Sequence, residues 1–180
     1  MLTSQLIKKL LLTILFIFFI SGGAYAEWTI QTKNDDFTNT KSIYLITDIA
    51  YPNQKLSFPY EDTQSNLVVM CYENDSDIYF FFNSVNLNFD GYDNQGDAQG
   101  EISVKVGDKI FGMDIFFQTG SNFINLSNME KKRMLRYIGE NDTIMVRFDH
   151  HSDGLRHYKY NTSNFNSVFK ENCLKLWDQN

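Results

Sequence analysis

The chain has 180 residues, 43% of them hydrophobic and 16% aromatic, with 16 basic side chains against 22 acidic ones and a formal charge of −6. That length holds one domain with a full core and is short for two. The acidic balance argues against a general nucleic-acid binder, which needs clustered Lys and Arg for phosphates.

The N-terminal stretch sets the expected compartment. Lys8 and Lys9 precede an apolar run over 10–20, and small residues follow, ending in Ala24-Tyr25-Ala26. This pattern predicts a secretory signal peptide over 1–26 with an A-x-A cleavage site. The apolar run is about half the roughly 20 residues that a bilayer-spanning helix needs. No cysteine stands at the cleavage point, so a lipid anchor there is not indicated. No later run is long enough to span a membrane. The expectation is an exported domain over 27–180, periplasmic or secreted.

Downstream, runs rich in Ile, Val, Tyr and Phe recur between clusters of Asn, Asp and Gly, which is the pattern of short strands joined by turns. Strands are predicted near 28–31, 42–50, 66–72, 77–83, 101–106, 109–118, 143–149 and 155–161. Turn formers over 73–77 predict a hairpin between the third and fourth of these. Gly107-Asp108 predicts a two-residue type II′ hairpin loop. Asp153-Gly154 predicts another two-residue loop, which would pair Ser152 with Leu155, His150 with His157 and His151 with Arg156.

Two helices are expected, near 127–138 and 163–174. Ser127-Asn128-Met129-Glu130 has the form of a capping box, and Gly139 is placed to end that helix in a left-handed conformation. Met134 and Ile138 share one face, whereas Lys131, Lys132, Arg133 and Arg136 form a basic surface. In the second helix Phe165, Val168 and Phe169 make an apolar stripe, and Cys173 continues it. The fold class that follows is mainly β, a single-domain antiparallel β-sandwich-like module with two short α-helices.

The chain has two cysteines, Cys71 and Cys173, both in the exported part. In an oxidising compartment two lone cysteines pair, and this pairing would staple the second helix to the strand over 66–72. A buried thiol plus a free one is the alternative.

Four candidate sites emerge. His150 and His157, facing each other across a hairpin, would supply half of a zinc or copper site, with Asp149 and His151 on the opposite face. A solvated turn is the plainer reading. Asn86, Asn88, Asp90, Gly91 and Asp97 occupy positions 1, 3, 5, 6 and 12 of a degenerate calcium loop, with Asp where a bidentate Glu is usual; a hydrated hairpin loop is the alternative. Lys131, Lys132, Arg133 and Arg136 would dock an anionic partner such as lipid head groups, polysaccharide or an acidic protein, or else form a solvated helix face. No local catalytic motif is present, so no catalytic residue and no cofactor are assigned, with calcium, zinc or copper as the candidate ions. Dispersed carboxylates assembling in space are the fourth possibility.

The C-terminal third carries a resemblance. Met145-Val146-Arg147-Phe148-Asp149, then a hairpin, then Tyr160 to Cys173 with Phe165 ahead of a short helix, resembles type VI secretion-associated VasI-like proteins and invasion-associated locus B proteins. Leu67-Val68-Val69-Met70-Cys71 is similar to the strand that holds the partner cysteine, and Trp28 followed by Asp35 or Asp36 is also similar. Two departures stand out. Met113-Asp114-Ile115-Phe116-Phe117 lies where a central tryptophan is common, and Asn164 replaces a glycine before Phe165. The resemblance implies a β-sandwich-like periplasmic module with one disulfide and no known catalysis. The functional expectation is a non-enzymatic binding or accessory module whose partner is a protein or envelope component. The alternatives are an envelope- or glycan-directed hydrolase and a secreted effector.

Overall fold

Alternating burial along β-branched and aromatic runs gives several strands one inner face, the central strands are buried more continuously, and antiparallel pairing joins them into a core. The structure is a computed structural model, which describes residues 28–38, 40–73, 75–92, 96–118 and 120–174; the predicted signal segment, 1–26, lies outside them. Ten strands form one antiparallel sheet among the described residues: β1 (Thr29–Asp35), β2 (Thr40–Ile46), β3 (Ser65–Tyr72), β4 (Asp75–Phe82), β5 (Gly91–Tyr92), β6 (Ala98–Val106), β7 (Lys109–Phe117), β8 (Phe123–Leu126), β9 (Thr143–His150) and β10 (Gly154–Asn161). Their spatial order is β1-β2-β3-β4-β8-β7-β6-β9-β10, with β5 beside β6.

The sheet rolls over so that its two halves face each other. Phe80 and Phe82 of β4 meet Phe148 of β9 edge to face at 5.2 and 5.1 Å, and Phe82 meets Tyr158 of β10 at 5.4 Å. These strands are far apart in the sheet order, so the sandwich-like core is enclosed by one continuous sheet. Aromatic edge-to-face contacts add to the burial of their large apolar surfaces. The segment after β2 sews the roll shut. Ala50 pairs with Ser65 at the start of β3, Pro52 bridges to Tyr158, and Asn53 both donates its backbone N–H to His157 O (3.0 Å) and accepts from His157 N through its side chain (2.9 Å).

Helix α1 (Asn128–Glu140) lays Met134, Tyr137 and Ile138 against the core, as the apolar spacing predicts. Its ends differ from expectation. Ser127 makes no side-chain cap bond; Glu130 is instead tucked under the helix, 6% exposed, and pairs with Arg133 at 3.1 Å. Gly139 lies inside the helix, which ends at Glu140 and is capped by Asn141, whose side-chain amide donates back to Tyr137 O at 2.9 Å. The glycine serves close approach: a Cβ there would stand 2.7 Å from Asn166 Oδ1.

The second helical segment starts later than predicted. Helix α2 (Phe165–Phe169) is followed by a wider π-type turn, Lys170–Leu174, and together they bury Phe165 and Cys173. Asn164 adopts φ +62°, ψ 5°, so the residue before Phe165 is left-handed and cannot belong to the helix. Asparagine is the non-glycine residue that best tolerates this conformation. β2 stops at Ile46 instead of 50 because Thr47 turns the chain, its hydroxyl accepting from Leu67 N at 3.0 Å. The β3–β4 turn is tighter than 73–77: Tyr72 already pairs with Asp75, and Glu73 takes φ +40°.

Candidate functional site

The two cysteines are joined. Cys71 and Cys173 form a disulfide across 102 positions with a Cα–Cα distance of 5.6 Å, and both are fully buried. The bridge fixes the π-type turn onto β3. The same region is anchored again where Trp28 Nε1 donates to Ser163 O at 3.0 Å and its ring meets Phe165 at 5.2 Å. Among the described residues no helix is long and apolar enough to cross a membrane.

The histidine hairpin has a different register from the predicted one. His150 pairs with Gly154 and His157 with Arg147, which leaves a three-residue loop of His151, Ser152 and Asp153. Ser152 and Gly154 take positive φ of 68° and 70°, and Asp153 N donates to His150 O at 3.2 Å. The cause is remote: Asp153 Oδ1 accepts from Ser57 N (3.0 Å) and Ser57 Oγ (2.8 Å), so the turn is shaped by the loop before β3. His150 therefore points into the core and His157 to the other face, and they do not share an ion.

His150 is instead a buried polar link. Its Nδ1 lies 3.0 Å from Asn86 O, and its Nε2 lies 3.0 Å from Tyr158 Oη. A carbonyl only accepts, so Nδ1 carries the proton and Nε2 accepts from the tyrosine hydroxyl. Burial lowers the pKa of His150 below its ordinary range, against the opposing pull of Asn86 O. A neutral imidazole satisfies both partners.

The predicted calcium loop is an extended strip where it is described. Asn86 Nδ2 donates to His151 O at 3.1 Å, Asn88 N to Asp149 O at 2.8 Å and Asp90 N to Gln99 O at 2.8 Å. The strip pairs first with the β9–β10 tip and then with β6, so Asn86, Asn88 and Asp90 are spread along it. The path on to Asp97 passes through 93–95, outside the described residues. No group of three or more His, Cys, Asp or Glu placed to hold a metal occurs among the described residues.

The basic cluster divides. Lys131 is engaged in an ion pair with Asp77, and Arg133 pairs with Glu130 and reaches Gly112 O at 3.4 Å. Lys132 and Arg136 are exposed, the latter beside the Tyr137 ring at 5.6 Å. Two of the four charges thus hold α1 to the sheet.

A site that local motifs do not reveal lies on the outer face of β5, β6 and β7. It is a cleft of ≈470 Å³ lined by Asp90, Tyr92, Glu101, Asp114, Phe116 and Ser127. The Gly107-Asp108 loop, with φ +57° at Gly107, sets Val106 opposite Lys109 and so Glu101 opposite Asp114. Counting back from that turn finds the pair in the sequence. Gly91 pairing with Gln99 brings Asp90 and Tyr92 alongside. Like charges directly opposite on a sheet repel, and Glu101 leans over Gly112, filling space that a Cβ there would occupy. Tyr92 is 73% exposed. The cleft offers several acceptors, an aromatic wall and free access from solvent, which suits a cationic ligand.

Comparison with family models, with curated proteins and with solved structures finds no match.

Proposed function

We propose that this protein is an exported, periplasmic or secreted binding module that holds a cationic segment of a protein or envelope component in the β5–β7 cleft. The observation that carries the reading is the cross-strand pair of Glu101 and Asp114 beside Asp90, Tyr92 and Phe116. Clustered carboxylates draw and orient positive charge, and aromatic side chains add contact with alkyl stems and guanidinium groups. The buried disulfide supports the compartment, because structural disulfides persist in oxidising surroundings. The split of the basic cluster favours the acidic cleft over α1 as the principal contact.

A fluorescent oligolysine peptide tests the site. Binding weakens with added salt, and Glu101→Gln with Asp114→Asn lowers affinity by about tenfold or more, a change of ~1.4 kcal/mol. Equal affinity in the variant overturns the assignment. Photocrosslinking from position 92 in cells, followed by fractionation, then identifies the natural partner and its compartment.

One observation favours a second reading, a glycan-directed hydrolase. Glu101 and Asp114 stand directly opposite on neighbouring strands, and most glycosidases work with a pair of carboxylates. Both carboxylates are nevertheless exposed, without the water-excluded setting that acid catalysis exploits. Release of reducing ends from cell-wall glycan by the wild type and not by Glu101→Gln would establish this reading over the first.

A further inference from the structure

Alternation along a strand sends every second side chain to the outer face, and on a sheet with one solvated face those positions are ordinarily polar. One row across this sheet departs from that rule. Gln99 of β6 stands opposite Phe116 of β7, Phe116 opposite Asn125 of β8, Asn125 opposite Tyr79 of β4, Tyr79 opposite Val68 of β3, and Val68 opposite Ile46 of β2. Residues directly opposite share a face. This face is the outer one, because Phe80, Ile115 and Ile124, one position along their strands, belong to the core. The row carries no charged side chain.

A second aromatic pair widens the row. Phe81 stands opposite Phe123, whose ring meets Phe81 at 5.3 Å and Tyr79 edge to face at 5.0 Å. The rings lie over one another: Tyr79 is only 9% exposed on this outer face, whereas Phe123 is 42% exposed. The carboxylate that borders them on β4, Asp77, is neutralised by its ion pair with Lys131. The product is a low apolar strip with the amides of Asn125 and Gln99 set into it. Contiguous exposed apolar surface rimmed by polar groups marks interaction sites.

The strip runs into the acidic cleft. Gln99 and Phe116 line that cleft, and Glu101 and Asp114 lie two positions along the same two strands, on the same face. Carboxylates and aromatic strip are therefore one continuous surface, and this continuity selects the occupant. The acidic end repels anionic lipid surfaces and draws positive charge. The amides both donate and accept, as a peptide backbone does, and the rings take apolar side chains. From β6 to β3 the row crosses four strand spacings, ~19 Å, the length of about six extended residues. Resting on the reading of the cleft as a cation site, we propose that the strip extends the same docking surface, and that the partner is a peptide segment with Lys or Arg at one end and about six adjoining residues in which apolar side chains alternate.

The test uses fluorescent peptides of three lysines joined, in either order, to a six-residue tail, titrated into the full exported chain. In one tail phenylalanine alternates with serine; in the other every position is serine. In at least one order the phenylalanine tail binds tenfold or more tighter than the serine tail, and a photoreactive group in that tail crosslinks to β4 or β8. Phe123→Ser and Phe81→Ser each remove most of the gain and leave the affinity of the serine-tailed peptide, which reports on the cleft alone, at its wild-type value, with circular dichroism showing both variants folded. Equal affinity of the two tails, crosslinking confined to other strands, or a gain that survives both substitutions overturns this inference and leaves the cleft reading standing. Failure of both peptides to bind overturns the cleft reading and this inference with it. Sedimentation equilibrium of the peptide-free protein gives a monomer; a dimer that Phe123→Ser dissociates would place a second copy on the strip and overturn the inference as well.

Discussion

Reducing the Cys71–Cys173 bridge is the most demanding perturbation of this fold, because the bond closes a loop of 102 positions. In the chain-entropy description a loop of that length restrains the unfolded ensemble by about 4.7 kcal/mol at room temperature. Domains of this size have total stabilities of ~5–15 kcal/mol, so reduction removes a third or more. With a urea dependence of ~2 kcal/mol per molar, the midpoint falls by about 2 M. The slope also steepens, since the unrestrained chain exposes more surface. The assay is urea unfolding followed by far-ultraviolet circular dichroism, with and without reductant, with both thiols shown by mass spectrometry to be alkylated after reduction. The Cys71→Ala/Cys173→Ala variant gives the same midpoint as reduced protein, apart from the small loss of two buried sulfurs. A midpoint shift below ~0.5 M in fully reduced protein would refute the reasoning, because the π-type turn would then be held by packing alone.

Three further outcomes follow from particular residues. His150 has a lowered pKa in the folded state, so the unfolded chain takes up its proton first as pH falls through about 6.5. Its contribution is full above that pH and is lost progressively below it, with Asp149, Asp153 and Arg156 the nearby charges acting on the ring. His150→Gln therefore flattens the stability profile between pH 7 and 5, measured by urea midpoints, and an unchanged slope would exclude His150 as the titrating group. Asn164→Ala costs about 1 kcal/mol because alanine resists the left-handed conformation, whereas Asn164→Gly is neutral or stabilising; equal losses in the two would show that the side chain matters more than the backbone angle. Gly139→Ala gains about 1 kcal/mol of helix propensity and loses about 1 kcal/mol through the displaced Asn166 bond, now 2.7 Å to Gly139 O, so its thermal midpoint stays close to wild type.

Local patterns carry some parts of this fold and miss others for identifiable reasons. The continuous apolar runs of β3 and β4 and the longer runs of β6, β7, β9 and β10 are evident in the sequence, and Gly107-Asp108 sets the β6–β7 register because a two-residue loop leaves no freedom. β5 and β8 have two and four residues, too few for a period to appear. Asp153-Gly154 has the form of a two-residue turn, yet Ser57, 96 positions away, captures the aspartate and shifts the pairing. The capping box fails for a similar reason, since Glu130 is drawn beneath α1 beside Arg133. The β5–β7 cleft was within reach of register counting, because Glu101 and Asp114 follow from the turn.

The two margins of the rolled sheet are unequal. The outer side of β10 is stitched by Pro52 and Asn53, whereas β1 is outermost with all seven residues exposed. Among the described residues, the row of amides and carbonyls on the outer side of β1 is open, guarded by Lys33 and the polar residues around it. Deuterium uptake is fastest along that margin and slowest in β3 and β4, and any self-association at high concentration begins by strand addition at β1.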